Sequence, residues 1–165
     1  SIVSFLIKKG SNGMQNQEHG RRLRVGRFSM PGHIYLVTCV VKNRQPVFND
    51  FHIGRRVVRE MRCLHDSGVA NSLAWVVMPD HLHWLFELRS GSLAALMQLL
   101  KGRSACRINK AFGSKTLEWQ KGYYDHAVRA EKDLEGMARY VIANPVRAGL
   151  VTCEGEYPLW DSVWT

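Results

Sequence analysis

His81 and His83 stand two residues apart in the run His81-Leu82-His83-Trp84-Leu85-Phe86-Glu87-Leu88, which alternates like a strand. Successive side chains on a strand point to opposite faces, so both imidazoles point one way and Leu82 points the other. Their Cβ atoms then lie ~6–7 Å apart, twice the strand rise. That separation lets both rings reach one metal ion. A His-x-His pair also occurs with no metal, so the pair alone leaves both readings open.

A second pair lies downstream. Tyr140 and Asn144 are four residues apart in an apolar, helix-periodic segment and share a helix face. At ~100° per residue they fall on the flank of a stripe centred near Leu134 and Val141. From there a phenol and an amide can face a site on a sheet. They can equally be a boundary tyrosine and a helix-terminal asparagine before Pro145. His126, after Tyr124-Asp125, is either a hydrogen-bonded histidine at a strand end or an accessory group: a proton shuttle, a phosphate contact or an extra ligand. Tyr123 and Tyr124 lie on opposite faces of a strand, where rings more often stack on bases or pack on the core. His19, His33, His52 and His65 have no partner at ligand spacing and read as surface or core residues.

The elements that would position these groups follow from periodicity. Ile34 to Val41 is β-branched and aromatic, a strand. Asp50 to His65 carries apolar residues at helical spacing and ends at Gly68. Leu73 to Met78 and His81 to Leu88 form a hairpin across Pro79-Asp80. Ser92 caps a helix running to about Phe112. Trp119 to Val128 reads as a fourth strand, Glu131 to Ala143 as a last helix that Pro145 ends, and Gly149 to Thr165 as an irregular cover. The order β-α-β-β-α-β-α is an α+β, ferredoxin-like and RRM-like split βαβ arrangement. It predicts a four-stranded antiparallel sheet with helices on one face and the other face free for a site.

The chain has 165 residues, enough for one domain with its own core. Residues 30–165 read as that single domain with a C-terminal extension, and residues 1–29 as a flexible basic arm. Residues 1–13, before Met14, read as a leader or an upstream translated piece. Basic residues outnumber acidic ones, 23 to 14, for a net charge of +9. Such an excess points to a polyanion, most simply nucleic acid. Arg21, Arg22, Arg24 and Arg27 then read as phosphate contacts or as a solvated tail. No apolar run spans a membrane. The four cysteines form no Cys-x-x-Cys pair, so buried reduced thiols in a cytoplasmic, nucleoid-associated protein are expected.

Met78-Pro79-Asp80-His81-Leu82-His83, followed by Tyr140-Val141-Ile142-Ala143-Asn144-Pro145-Val146-Arg147-Ala148-Gly149-Leu150, resembles the REP-associated tyrosine transposases. These are the domesticated branch of the single-tyrosine HUH transposases. Gly26 to Gly32, Leu99 to Gly102 and Trp119 to His126 share the resemblance, which covers roughly residues 24 to 164. It implies an HUH nuclease fold with His81, His83 and Asn144 as metal ligands, Tyr140 as nucleophile, and Mg²⁺ or Mn²⁺ as cofactor. It implies a single-stranded DNA hairpin as partner, with a 5′-phosphotyrosine intermediate and no nucleotide cofactor. Lys101 and Arg103 would join the N-terminal arginines in backbone contacts. Asn144 stands where the transposases proper commonly carry Gln, which sets autonomous transposition in doubt. The C-terminal extension would cover a surface that otherwise dimerises, so a monomer is expected. The competing reading is a non-catalytic nucleic-acid-binding module of RRM-like fold. Against it, the third strand carries His-Leu-His where RNA-binding modules carry aromatic residues.

Overall fold

The computed structural model describes residues 29–129 and 133–164. The basic arm, with Arg21, Arg22, Arg24 and Arg27, lies outside them. The elements run β1 (Ile34–Val40), α1 (Phe51–Asp66), β2 (Ala70–Met78), β3 (His81–Leu88), α2 (Leu93–Phe112), β4 (Tyr124–Val128), α3 (Leu134–Ile142), the single turn α4 (Asn144–Arg147) and β5 (Trp160–Ser162). The strands form one antiparallel sheet in the order β4-β1-β3-β2-β5. Its first four strands have the ferredoxin-like order, and β3 is central.

Local chemistry sets the helix starts. The Asp50 carboxylate accepts from the His52 and Ile53 amides at α1, and the Ser92 hydroxyl accepts from the Ala95 amide at α2. Pairing Met78 with His81 leaves a tight Pro79-Asp80 turn. Two bonds brace that turn from outside: the Val41 amide donates to the Asp80 carbonyl at 2.9 Å, and the Phe48 amide to the Pro79 carbonyl at 3.0 Å.

Both faces of the sheet are covered, in place of the expected single helical layer. Tyr35, Val37, Cys39, Leu82, Trp84, Phe86 and Leu88 face α1 and α2 and make the larger core. Leu36, Ala74, Val76, Met78 and Leu85 face the other way, and α3 closes over them with Met137, Ala138 and Val141. Five apolar residues on the second face could not stay in water without cost, so α3 crosses to it.

The sheet also has five strands where four were expected. Trp160–Ser162 pairs with Ala74–Val76 and caps the β2 edge. Leu159, 1% exposed, joins the larger core. The C-terminal segment is therefore structural as well as covering. The fourth strand is shorter than expected. Gly122 takes φ +80, and the Lys101 ammonium donates to the carbonyls of Gln120 and Gly122 at 2.7 and 2.6 Å. Those contacts hold the chain out of the ladder until Tyr124. Before the break, Trp119 forms an isolated bridge to Val41, just past the end of β1. Pro145 does not stop the chain's helical course. It falls in the first turn of α4, where a missing amide proton costs nothing.

Only Cys39 is buried; Cys63, Cys106 and Cys153 are exposed, and none is in a disulfide. The expectation of buried thiols thus fails at three positions, because these side chains point away from both cores. Among the described residues no helix is long and apolar enough to cross a membrane. If β5 and Leu159 are part of the folded core, Leu159→Ala will cost about 2–5 kcal/mol, as cavity-forming changes do. Urea unfolding reads this directly; a loss below about 1 kcal/mol would make the segment a loose cover.

Candidate active site

The alternation of β3 sends His81 and His83 to the face that α3 covers, with Leu85 beside them. Their ring centroids are 4.8 Å apart and nearly perpendicular. Each ring is held through Nδ1. The His81 ring meets Asp80 Oδ1 at 2.6 Å, and the His83 ring meets Thr38 Oγ1 at 2.8 Å. Thr38 lies directly across β1 from His83, so the sheet register itself supplies that partner. No described residue bonds to either Nε2. With protons on Nδ1, both Nε2 lone pairs are free for a ligand. Tying down the non-ligating nitrogen is how proteins orient metal-binding imidazoles.

Burial keeps His83 uncharged. Desolvation, with the nearby His81, Arg44 and Arg147, pushes its pKa down to about 3, and Asp80 opposes this weakly. The His81 hydrogen bond, then the His81 and Arg44 charges, hold the Asp80 carboxyl below its usual range despite partial burial. Arg44 Nη1 reaches Asp80 Oδ2 at 3.4 Å. It does so from a turn in which Asn43 and Arg44 take φ +56 and +50. A non-glycine residue held in that region costs of order 1–3 kcal/mol and persists only where its surroundings enforce it.

The last helix brings the second pair to the same face. α3 packs on β2 and β3, and α4 continues it past Ala143. Tyr140 and Asn144 are both part-buried. Asn144 Nδ2 donates to the carbonyls of Tyr140 and Val141 at 2.9 and 3.0 Å. Two carbonyl partners fix which end of the amide is nitrogen, so Oδ1 is the free, outward acceptor. The Arg147 guanidinium stacks on the Tyr140 ring, 4.5 Å from its centroid.

The donor set fits a divalent cation: two imidazole nitrogens and one amide oxygen, each with the other polar atom of its side chain engaged. Among the described residues no group of three His, Cys, Asp or Glu could hold a metal. A site here needs the amide as its third donor.

The remaining expected residues divide. His126 pairs with Leu36 and Tyr124 with Thr38, so both share the histidine face. Tyr124 is 43% exposed, in the cross-strand row of Thr38 and His83 but two strands, or roughly 9–10 Å, from the latter. Tyr123 packs on the opposite core. Lys101 and Arg103 lie on α2, across the sheet from the histidines. The Lys101 ammonium donates to the Gln120 and Gly122 carbonyls, a structural role beside the DNA contact expected of it. Arg103 is exposed. Sequence reading missed Thr38, Arg44, Asp80 and Arg147. Asp80 adjoins His81 and Arg147 lies seven residues after Tyr140, so spacing could have flagged those two. Thr38 needs the register, and Arg44 the turn.

The structure is thus an α+β protein: a ferredoxin-like sheet bearing a His-x-His pair on its central strand, with α3 packed on the face to which that pair points. The family described as "Transposase IS200 like" matches residues 29–144, and the chain belongs to it. A REP-associated tyrosine transposase of Escherichia coli is 31% identical over 87 residues, 52% of this chain and 50% of that protein. The aligned region thus spans about half of that relative. A Haemophilus influenzae protein provisionally assigned to the same group is 27% identical over 139 residues, 77% of this chain and 78% of that one. The fold matches a REP-associated tyrosine transposase solved bound to a REP hairpin, with a TM-score of 0.64 and 24% identity over 81% of this chain and 79% of that one.

The His83 assignment has a pH consequence. Its folded pKa lies below the unfolded value near 6.5, so the unfolded state gains a proton first as pH falls. This contribution to stability is complete above about pH 6.5 and is lost toward pH 3. An NMR titration will show the His83 ring in its neutral form down to about pH 4; protonation near pH 6.5 would contradict its burial.

Proposed function

We propose that this chain is a metal-dependent single-stranded DNA endonuclease and strand transferase acting on REP-type hairpins. The observation that best supports this is the preparation of three donors. His81 and His83 are tied through Nδ1, and Asn144 through Nδ2, leaving Nε2, Nε2 and Oδ1 free. These three residues would hold Mg²⁺ or Mn²⁺. When bound, the cation neutralises a non-bridging phosphate oxygen and polarises phosphorus.

Tyr140 is the nucleophile. Its Oη bonds to phosphorus and the P–O3′ bond breaks. The phenol loses its proton, the departing strand becomes a 3′-hydroxyl, and Tyr140 keeps the 5′-phosphate. A 3′-hydroxyl attacking that ester reverses the step, so the bond energy is conserved and no nucleotide cofactor is needed. The net charge of +9, and Arg103 with the N-terminal arginines, favour the DNA backbone as a whole. The hairpin itself is proposed by likeness to the hairpin-bound relative. A single chain suffices as the acting unit, since β5 already covers the β2 edge; light scattering of a dimer would overturn this.

The test uses a single-stranded REP hairpin labelled 3′ of the expected cut, with Mg²⁺ or Mn²⁺, on a denaturing gel. A labelled protein adduct is expected, absent with EDTA and in Tyr140→Phe. An adduct that survives Tyr140→Phe but not Tyr124→Phe would move the nucleophile to β4. Tight hairpin binding with no adduct would favour the binding module.

The Nδ1 partners give a finer prediction. Asp80→Ala or Thr38→Val is expected to weaken Mn²⁺ affinity about 10–100-fold, as loss of ligand-orienting partners does. Electron paramagnetic resonance of free Mn²⁺ measures this without DNA, and unchanged affinity would remove the histidines from the metal site.

A further inference from the structure

Arg147 is exposed, yet it is held in one place. Side chains on a helix lean toward its N-terminus, so Arg147 reaches back over the Asn144 turn to the Tyr140 ring. The 4.5 Å separation is well inside the range of a cation–π contact. Other arginines near acidic residues are paired: Arg44 with Asp80, Arg89 with Glu87, Arg107 with Glu60, Arg139 with Glu135. No described residue accepts a hydrogen bond from Arg147. Among the described residues, the face of Tyr140 is the group its guanidinium meets. Its charge is also felt at His83, which puts the guanidinium near the histidine pair.

A part-buried tyrosine ring on a helix flank keeps freedom about two side-chain torsions unless something bears on its open face. The sheet bears on one side of α3 through Met137, Ala138 and Val141. From solvent, the planar guanidinium is the group that bears on Tyr140. Planarity matters, because a flat cation covers a ring and a lysine ammonium only points at it.

We propose that Arg147 is a positioning residue for Tyr140: its stacked guanidinium fixes the ring's orientation before DNA arrives, so the hydroxyl meets the scissile phosphate correctly aimed. This rests on the reading of Tyr140 as the nucleophile. The guanidinium acts through the ring and is not the main anchor of the hairpin.

The experiment compares wild type, Arg147→Ala and Arg147→Lys for single-turnover adduct formation and, separately, for hairpin Kd. Arg147→Ala is expected to slow adduct formation about 10–100-fold, the scale of a misplaced reacting group. Hairpin Kd is expected to stay within about twofold, so the effect falls on the chemical step. Arg147→Lys keeps the charge and is expected to leave most of the loss in place. Fluorine NMR of 3-fluorotyrosine protein supplies a readout independent of activity. The Tyr140 signal, assigned by its absence in Tyr140→Phe, is expected to shift in Arg147→Ala. A weakened Kd with an intact rate, full rescue by lysine, or an unmoved fluorine signal would overturn the proposal. An adduct formed by Tyr140→Phe would overturn the nucleophile reading and the proposal with it. An adduct lost in Tyr140→Phe but made at full rate by Arg147→Ala would overturn the proposal alone.

Discussion

A slip of one residue in β3 would turn His81 and His83 into the larger core and push Leu82, Trp84, Phe86 and Leu88 out of it. Burying one large apolar side chain is worth about 1.5–3 kcal/mol, so inverting all four forfeits several times that. Specific contacts add to the register. Trp84 lies 4.3 Å from Phe86, and its indole N–H donates to Ser72 on β2. The Val41 amide holds the Asp80 carbonyl at the turn. The apolar side of β3 thus aims its polar side, and the partners of both imidazoles follow. Thr38 is opposite His83 because β1 pairs there, and Asp80 adjoins His81 because the turn is two residues long.

The second face is divided between packing and chemistry. Leu36, Ala74, Val76, Met78 and Leu85 take the apolar stripe of α3. That stripe ends at Ile142, and Tyr140 and Asn144 lie on its flank, both part-buried. Ala143 ends α3 without a break in direction, and Pro145 sits where α4 tolerates it. Asn144 is therefore at a helix boundary, where carbonyls one turn back lack amide partners. Its side-chain nitrogen fills that need for Tyr140 and Val141, and the oxygen is turned outward as a result. The bonds that make Asn144 a helix-terminal asparagine are the same bonds that leave its oxygen available for the proposed ligand role.

The sequence made the strand and helix periodicities, the caps at Asp50 and Ser92, and the shared face of His81 and His83 readable, because each depends on neighbours close along the chain. Tertiary balance was not readable. The crossing of α3 to the second face depends on how much apolar surface the sheet leaves there, which only the assembled register shows. β5 is three residues long, too short for a periodic signal, and exists because the β2 edge is available. Lys101 reads as a DNA contact because it is a cation in a basic helix. Its carbonyl partners come from a bend around Gly122 that no local pattern encodes. Arg44 reaches Asp80 from a left-handed turn across 36 positions of sequence.

The charge balance of the site follows from these placements. None of the three candidate donors is a carboxylate: His83 is kept neutral by desolvation, the His81 ring is bonded through Nδ1 to Asp80, and Asn144 offers an amide oxygen. The one carboxylate among these groups, Asp80, already answers His81 and Arg44 from behind and is not among the three donors. In the proposed chemistry a divalent cation held there would keep nearly its whole charge for the phosphate, whereas a ligating carboxylate would cancel part of it. Neutral donors also bind hard cations weakly, and Mg²⁺ favours sites completed by phosphate oxygens. In the proposed chemistry a cation that favours DNA binding would be favoured by DNA to the same degree, since linkage is reciprocal. The same neutrality explains why the surrounding positive charge sits on arginines outside the donor set. Arg44 is bound back to Asp80, and Arg147 lies over the Tyr140 ring, whose oxygen in the proposed chemistry approaches an anion.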